Sequence, residues 1–256
     1  MKINYIDIHS HLGFEDYEQD LDEVIKRMEE SGVATIAVGA TFESSREAVR
    51  VANINKNIWA CVGIHPTEKE SFHESDFDEL VENPKVVAIG ECGLEFFKMT
   101  GDVEAEKTRQ KKEFIKQIEF AIKYNKPLML HVRDAYEDAY EILKKYEGKV
   151  RGNMHFFAGS LLWAKKFIDL GFTISFTGVI TFARQYDEVI KNIPLDKIHA
   201  ETDSPFVSPV PYRGKRNEPA YVVEVVKKIA EICGEDLETV RLQLLDNARK
   251  VFRLSI

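Results

Sequence analysis

Cysteine is nearly missing from this 256-residue chain: there are three, Cys61, Cys92 and Cys233, an odd number set far apart with no CxxC pair. Nothing here reads as a disulfide framework, and reduced thiols in a cytoplasmic protein are expected. No apolar run approaches the roughly 18 residues that would cross a bilayer. The opening MKINYIDIHS carries Lys2, Asn4 and Asp7 where a signal peptide would hold its apolar stretch. No contact with a membrane is expected. Positive charge is in deficit, with 35 Lys+Arg against 43 Asp+Glu and a net charge of −8. Proteins that grip DNA by neutralising many phosphates are usually basic, so a generic nucleic-acid binder is disfavoured. A small anionic patch read with the help of metal ions stays open. Neither GxGxxG nor GxxxxGK[ST] follows a hydrophobic run, which argues against a nucleotide fold. No low-complexity linker or charge block interrupts the chain, so one domain over 1–256 is expected.

What the chain does have is alternation. Short β-branched runs are followed by amphipathic helical runs, the signature of βαβ units and a parallel sheet. Strands are predicted at 3–9, 33–39, 58–64, 86–91, 127–132, 152–156, 172–176 and 197–201. Helices are predicted near 17–31, 43–54, 75–82, 103–124, 135–146, 160–170, 183–192 and 217–233, with Asp236 capping one more. In the long fourth helix Phe114, Ile118, Ala121 and Ile122 form an i, i+4, i+7, i+8 stripe, and Asn125 and Pro127 stop it. Eight such units in about 250 residues favour a closed (β/α)₈ TIM barrel over an open doubly wound sheet.

The seven histidines are not scattered. In a strand, residues i and i+2 point to one side, about 6.6–6.8 Å apart. His9 and His11, in YIDIHSHLG, therefore face the same way. The third predicted strand runs into His65, the fourth ends in Glu91, the fifth in His131 and the sixth in His155, and Glu201 to Asp203 follow the eighth. Only His73 and His199 fall elsewhere. A lone strand-end histidine is more often a hydrogen-bonded wall residue than a ligand. Five of seven at strand C-termini, the face where barrel active sites sit, form a pattern that points to a metal site. Imidazole and carboxylate donors suit zinc, manganese, iron, nickel or cobalt, and magnesium less well. The donor set exceeds what one tetrahedral ion needs, so two ions sharing a carboxylate are expected, with Glu91 as the bridge. Cys92 should point away from the site and pack.

Taken in order, DIHSHL (7–12), GIHP (63–66), AIGECGLEF (88–96), PLMLHVRDA (127–135), HFFAGS (155–160), ETDSPF (201–206), RGKRNEP (213–219) and NARKVF (247–252) resemble the TatD family of metal-dependent deoxyribonucleases, among the amidohydrolase-like barrels. The resemblance spans almost the whole chain. It implies that His9, His11, Glu91 and Asp203 hold one metal and that Glu91, His131 and His155 hold the second, as magnesium, manganese or zinc. It further implies that Asp203 touches the attacking water, that Glu201 orients a ligand or moves a proton, and that His65 and Arg133 contact phosphate. Glu95 stands where the family commonly has aspartate, and Ser10 and the HFFAG stretch also depart from its pattern. These differences leave the ligands intact and bear on substrate preference.

On this reading the chain hydrolyses phosphodiester bonds of DNA, trimming single-stranded ends from the 3′ side as a monomer. The loop containing Arg213, Lys215 and Arg216 is expected to grip phosphates, and Phe96, Phe97, Phe157 and Tyr212 are candidates to stack on bases, with core packing the better expectation for Phe157. Two rivals are an amidohydrolase or lactonase acting on a small molecule and a metal-binding scaffold without turnover.

Overall fold

The computed structural model describes residues 2–255. Eight parallel strands pair in sequence order. They are β1 (Tyr5–Ser10), β2 (Val33–Val38), β3 (Ile58–Val62), β4 (Val86–Glu95), β5 (Leu128–Arg133), β6 (Gly152–His155), β7 (Phe172–Phe176) and β8 (Ile198–Ala200). Between and after them lie α1 (Leu21–Glu30), α2 (Phe42–Ile54), α3 (Glu74–Val81), α4 (Val103–Lys123), α5 (Tyr136–Lys144), α6 (Leu161–Asp169), α7 (Asp187–Asn192), α8 (Val222–Cys233) and α9 (Leu237–Phe252). This is the (β/α)₈ barrel expected from the alternation. Asp236 caps α9 as expected, its side chain accepting from Thr239 N.

Each strand buries both faces. One cluster gathers Ile6, Ile8, Ala34, Ile36, Trp59 and Met129 with Phe252 and Leu254, so the C-terminal segment closes off the lower end of the barrel. A second cluster packs the other strand faces against the helices. Burying one such side chain is worth about 1.5–3 kcal/mol. The apolar filling ends where the strands carry their polar C-termini.

Four boundaries differ from expectation. The first helix starts at Leu21, because residues before it form a 3₁₀ turn at Glu15–Tyr17 that Tyr17 ties to Asn217 O through its hydroxyl. The helices expected at 183–192 and 217–233 each begin as a 3₁₀ turn, Arg184–Tyr186 and Pro219–Tyr221. Strand β4 runs on past Glu91 to Glu95, paired with β5 from Cys92–Leu130 to Glu95–Arg133. Gly93 permits this extension: at φ 142°, a Cβ there would lie 2.0 Å from His131 O.

The seam between β8 and β1 is closed by the segment that follows β8. Asp203 N donates to His9 O at 2.9 Å and His11 N to Ser204 O at 2.7 Å. Closing the barrel therefore brings His9, His11 and Asp203 together. All three cysteines are free, and Cys61 and Cys92 are buried. Among the described residues no helix is long and apolar enough to cross a membrane.

Candidate metal centre

Two of the strands carrying metal-binding candidates slip by one residue just before the side chain that matters. In β1, Asp7 pairs with Thr35 and Ser10 with Ala37, three residues against two. In β4, Ile89 pairs with Leu128 and Cys92 with Leu130, again three against two. A bulge of this kind re-aims the side chains beyond it. His9 consequently parts from Asp7, two residues earlier, and joins His11, whose Nε2 is 3.2 Å from its own. Glu91 turns toward the histidines while Cys92 packs into the outer core, the opposite direction expected for it.

The donor atoms converge. His9 Nε2 lies 3.3 Å from Glu91 Oε2 and 3.7 Å from Asp203 Oδ1. His11 Nε2 lies 3.7 Å and 3.4 Å from the same two atoms. A tetrahedral ion with bonds of about 2.0–2.1 Å sets its ligands about 3.3–3.4 Å apart, so His9, His11 and Glu91 have about the spacing of ligands on one ion, and Asp203 Oδ1 lies at a similar distance from the two histidines. The other oxygen of Glu91, Oε1, is 2.8 Å from His131 Nδ1, 3.5 Å from His65 Nε2 and 3.7 Å from His155 Nε2. Glu91 thus points one oxygen at His9 and His11 and the other at His131 and His65, while His155 lies between the two sets, 3.8 Å from Asp203 Oδ1. Three clusters satisfy ligand spacing: His9–His155–Asp203, His9–His11–Glu91 and His65–Glu91–His131. The last gives His65, expected to contact phosphate, the place of a ligand neighbour.

Surrounding groups fix how the donors face. Nδ1 of His11 lies 2.9 Å from Val38 O, which only accepts, so that nitrogen carries the proton and Nε2 offers its lone pair to the cluster. His155 Nδ1 is 2.9 Å from Glu201 Oε1, leaving its Nε2 toward Glu91 and Asp203. Glu201 accepts from Phe156 N at 2.7 Å and from Ser175 Oγ at 2.8 Å. Both its oxygens are engaged in a fully buried position, which favours orienting His155 over shuttling protons. His131 Nε2 lies 2.9 Å from Glu95 Oε2, so the residue that departs from the family pattern contacts a proposed ligand directly.

The electrostatics follow from this crowding. Burial alone would raise the Glu91 carboxyl, but His65, His155, His9 and the hydrogen bond with His131 outweigh it and hold Glu91 well below the usual range. Asp203 is likewise lowered against its burial by His11, His155 and His9. His155 is pushed up to about 10: burial opposes the shift, and Glu201, Glu91 and Asp203 override it. Burial takes His65 down to about 4, so near neutral pH it is an uncharged imidazole and supplies no positive charge to a phosphate. Two carboxylates held in their anionic form amid imidazoles make a site able to hold a metal cation.

The expected substrate contacts divide into two sets. Arg133 borders a cavity of about 300 Å³ lined by His131, His155, Phe156, Ala158 and Tyr186. Arg213 and Lys215 are exposed on the loop after β8. Arg216 is committed elsewhere: its NH1 and NH2 hold Asp20 at 2.8 and 2.6 Å, and its guanidinium covers the Tyr17 ring. It anchors the base of the loop to the segment before α1. Of the aromatics, Phe97 is exposed, Phe96 packs against the core, and Phe157 is buried, as favoured for it. Tyr212 stacks on Tyr221 beside an outer groove that includes Tyr5 and Arg27, away from the metal-binding candidates.

Several positioning residues escaped the sequence reading. Gln117 clamps both backbone groups of Ile64, next to His65, at 2.8 and 3.0 Å. Seven residues earlier on the same helix, Gln110 does the same for Glu95 at 2.9 and 3.2 Å. Their spacing puts them on the buried side of α4 with Phe114 and Ile118, and a polar pair on an apolar stripe was the available signal.

The closed barrel, with five histidines and two carboxylates in ligand-spaced clusters at its strand ends, defines a metal-binding (β/α)₈ protein. A family model described as TatD related DNase matches residues 6–253, and the chain belongs to that family. It is 39% identical to the uncharacterized metal-dependent hydrolase YabD of Bacillus subtilis, over 97% of this chain and 99% of the relative. It is 30% identical to a Klebsiella pneumoniae protein named 3′-5′ ssDNA/RNA exonuclease TatD, over 98% of both. The crystal structure of YJJV, a TatD homologue from Escherichia coli, superposes with a TM-score of 0.90 at 27% identity, covering 99% of this chain and 100% of that one.

Proposed function

We propose that this chain hydrolyses phosphodiester bonds of nucleic acid, DNA above all, removing nucleotides from single-stranded ends in the 3′-to-5′ direction with two divalent ions. Magnesium, manganese and zinc are the ions to test. The observation that carries the reading is Glu91, whose two oxygens face two groups of imidazoles beside a cavity bordered by Arg133. His9, His11, Glu91 and Asp203 would hold one ion, and Glu91, His131 and His155 the other, with His65 at its edge. When bound, such ions supply Lewis-acid charge and a water acidified toward neutrality. Asp203 then accepts the proton of the attacking water at its carboxylate, and Glu201 keeps His155 in place. Arg133 pairs with a non-bridging phosphate oxygen, which favours a phosphate over a lactone or amide carbonyl. The Klebsiella relative, by its name, supports the choice of substrate. The free thiols fit a reducing compartment such as the cytoplasm.

The experiment compares an end-labelled single strand, the same strand with a blocked 3′ end, its blunt duplex, a covalently closed circle and a small lactone. Fast loss of nucleotides from the free 3′ end alone is expected. Rapid cutting of the closed circle, or equal rates on duplex and single strand, would remove the end-entry reading. Turnover of the lactone alone would move the chain to the small-molecule class.

A further inference from the structure

Two partly exposed phenyl rings at the barrel mouth each lie against an arginine. The guanidinium carbon of Arg133 is 3.8 Å from the centroid of Phe97, and that of Arg213 is 3.9 Å from the centroid of Phe182. Lys98 Nζ adds a second charge 4.8 Å from the Phe97 centroid. Phe97 is 37% exposed and Phe182 42%. Phe182 belongs to no motif in the sequence, and nothing in the hydrolytic scheme uses either ring. An arginine laid on an aromatic face makes a flat, cationic platform on whose planes nucleobases stack and whose N–H groups donate to phosphate oxygens.

Their positions relate the two pairs to the metal-binding candidates. Phe97 lies two residues past β4 and Arg133 is the last residue of β5. Phe182 follows the turn after β7, and Arg213 lies in the loop after β8. All four therefore lie at or on the loops that follow the C-terminal strand ends, the face that holds the ligands. From β4/β5 to β7/β8 is three strand positions, about 14 Å of rim at roughly 4.8 Å per strand. A stacked strand at about 3.4 Å per nucleotide covers that distance in about four nucleotides. On the same face a cavity is lined by Arg133 and by Tyr186, which comes from the segment after Phe182. With a net charge of −8 the protein as a whole repels polyanions, so cations stacked at the mouth are where a strand can settle.

We propose that Phe97–Arg133 and Phe182–Arg213 are two base-stacking platforms that hold a single strand across the mouth, one on each side of the reacting phosphate. This rests on the nucleic-acid reading above and adds to it a binding track and a minimum length. Productive binding requires about four nucleotides, and a dinucleotide engages one platform only.

The test is fluorescence anisotropy with labelled, hydrolysis-resistant phosphorothioate oligothymidylates of two, four and six residues. The metal-loaded wild type is compared with Phe97→Ala, Phe182→Ala, Phe97→Trp and, as a distant surface control, Leu242→Ala. Wild-type affinity should climb steeply between two and four residues. Each Phe→Ala change should weaken hexamer binding roughly 5- to 150-fold, the equivalent of about 1–3 kcal/mol per stacked base. Phe97→Trp should match or exceed the wild type, and Leu242→Ala should equal it. Hexamer affinities within twofold of wild type in both alanine variants, or equal affinity for all three lengths, overturn the platforms while leaving the nuclease reading standing. A wild type that binds no oligonucleotide at all overturns both.

Discussion

Asp7 and Thr202 are joined by two hydrogen bonds: Asp7 Oδ1 accepts from Thr202 N at 2.8 Å, and the Thr202 hydroxyl donates to Oδ2 at 2.6 Å. The same Oδ1 accepts from His9 N at 3.1 Å. One buried carboxyl thus holds the backbone on which His9 sits and the backbone one residue before Asp203. Asp203 itself takes a left-handed conformation, φ 57°, uncommon outside glycine, and needs such restraint. Asp7→Ala would leave two buried N–H groups unpaired and should cost at least about 2 kcal/mol. Urea denaturation measures this, and a loss below about 0.5 kcal/mol would mean the carboxyl does not hold the seam.

Glu91→Ala removes the one side chain that faces both imidazole groups. Elemental analysis of the reconstituted wild type should approach two ions per chain, and the variant should retain one or fewer with nuclease activity lost. Near-full activity in the variant would refute the two-ion reading.

The loop after β8 should separate into two functions. Replacing Arg213 and Lys215 by alanine should weaken oligonucleotide binding and flatten its dependence on salt, since fewer counterions are released. Arg216→Ala should instead lower stability by about 0.5–1 kcal/mol, because it breaks a partly exposed double hydrogen bond to Asp20. An unchanged salt slope in the double variant would show that the loop tip does not meet the nucleic-acid backbone.

His199 is fully buried, neither ring nitrogen has a hydrogen-bond partner among the described residues, and burial lowers its pKa from 6.5 to about 3. The folded state therefore resists a proton that the unfolded chain takes up below about pH 6.5. Stability should be complete above that pH and should fall by up to about 1.4 kcal/mol per unit as pH drops toward about 3. His199→Leu should remove this component. Denaturation of both proteins at pH 7, 6, 5 and 4 checks it, and parallel pH profiles would contradict the assignment.

Much of this was legible in the sequence because periodicity is local. The stripe in α4, the stop at Asn125 and the cap at Asp236 depend on neighbours within a few residues, and the structure keeps all three. The strand-end histidines were legible for a related reason: polar side chains repeated at the ends of apolar strands conflict with burial unless they share a site. Gln110 and Gln117 were visible as letters but not as clamps, since their partners lie 15 and 53 residues away.

The sequence by itself determined eight βα units, a mouth rich in imidazole and carboxylate, and the absence of a disulfide scaffold. The tertiary structure alone decided which cations are available and how the ligands face. Arg213 and Arg216 are three residues apart in one basic loop, yet Arg216 is taken by Asp20, 196 positions earlier in the chain, because the loop folds back on the segment before α1. The bulges at His9 and Glu91 arise from register between strands, a relation between two chain segments that neither segment encodes alone.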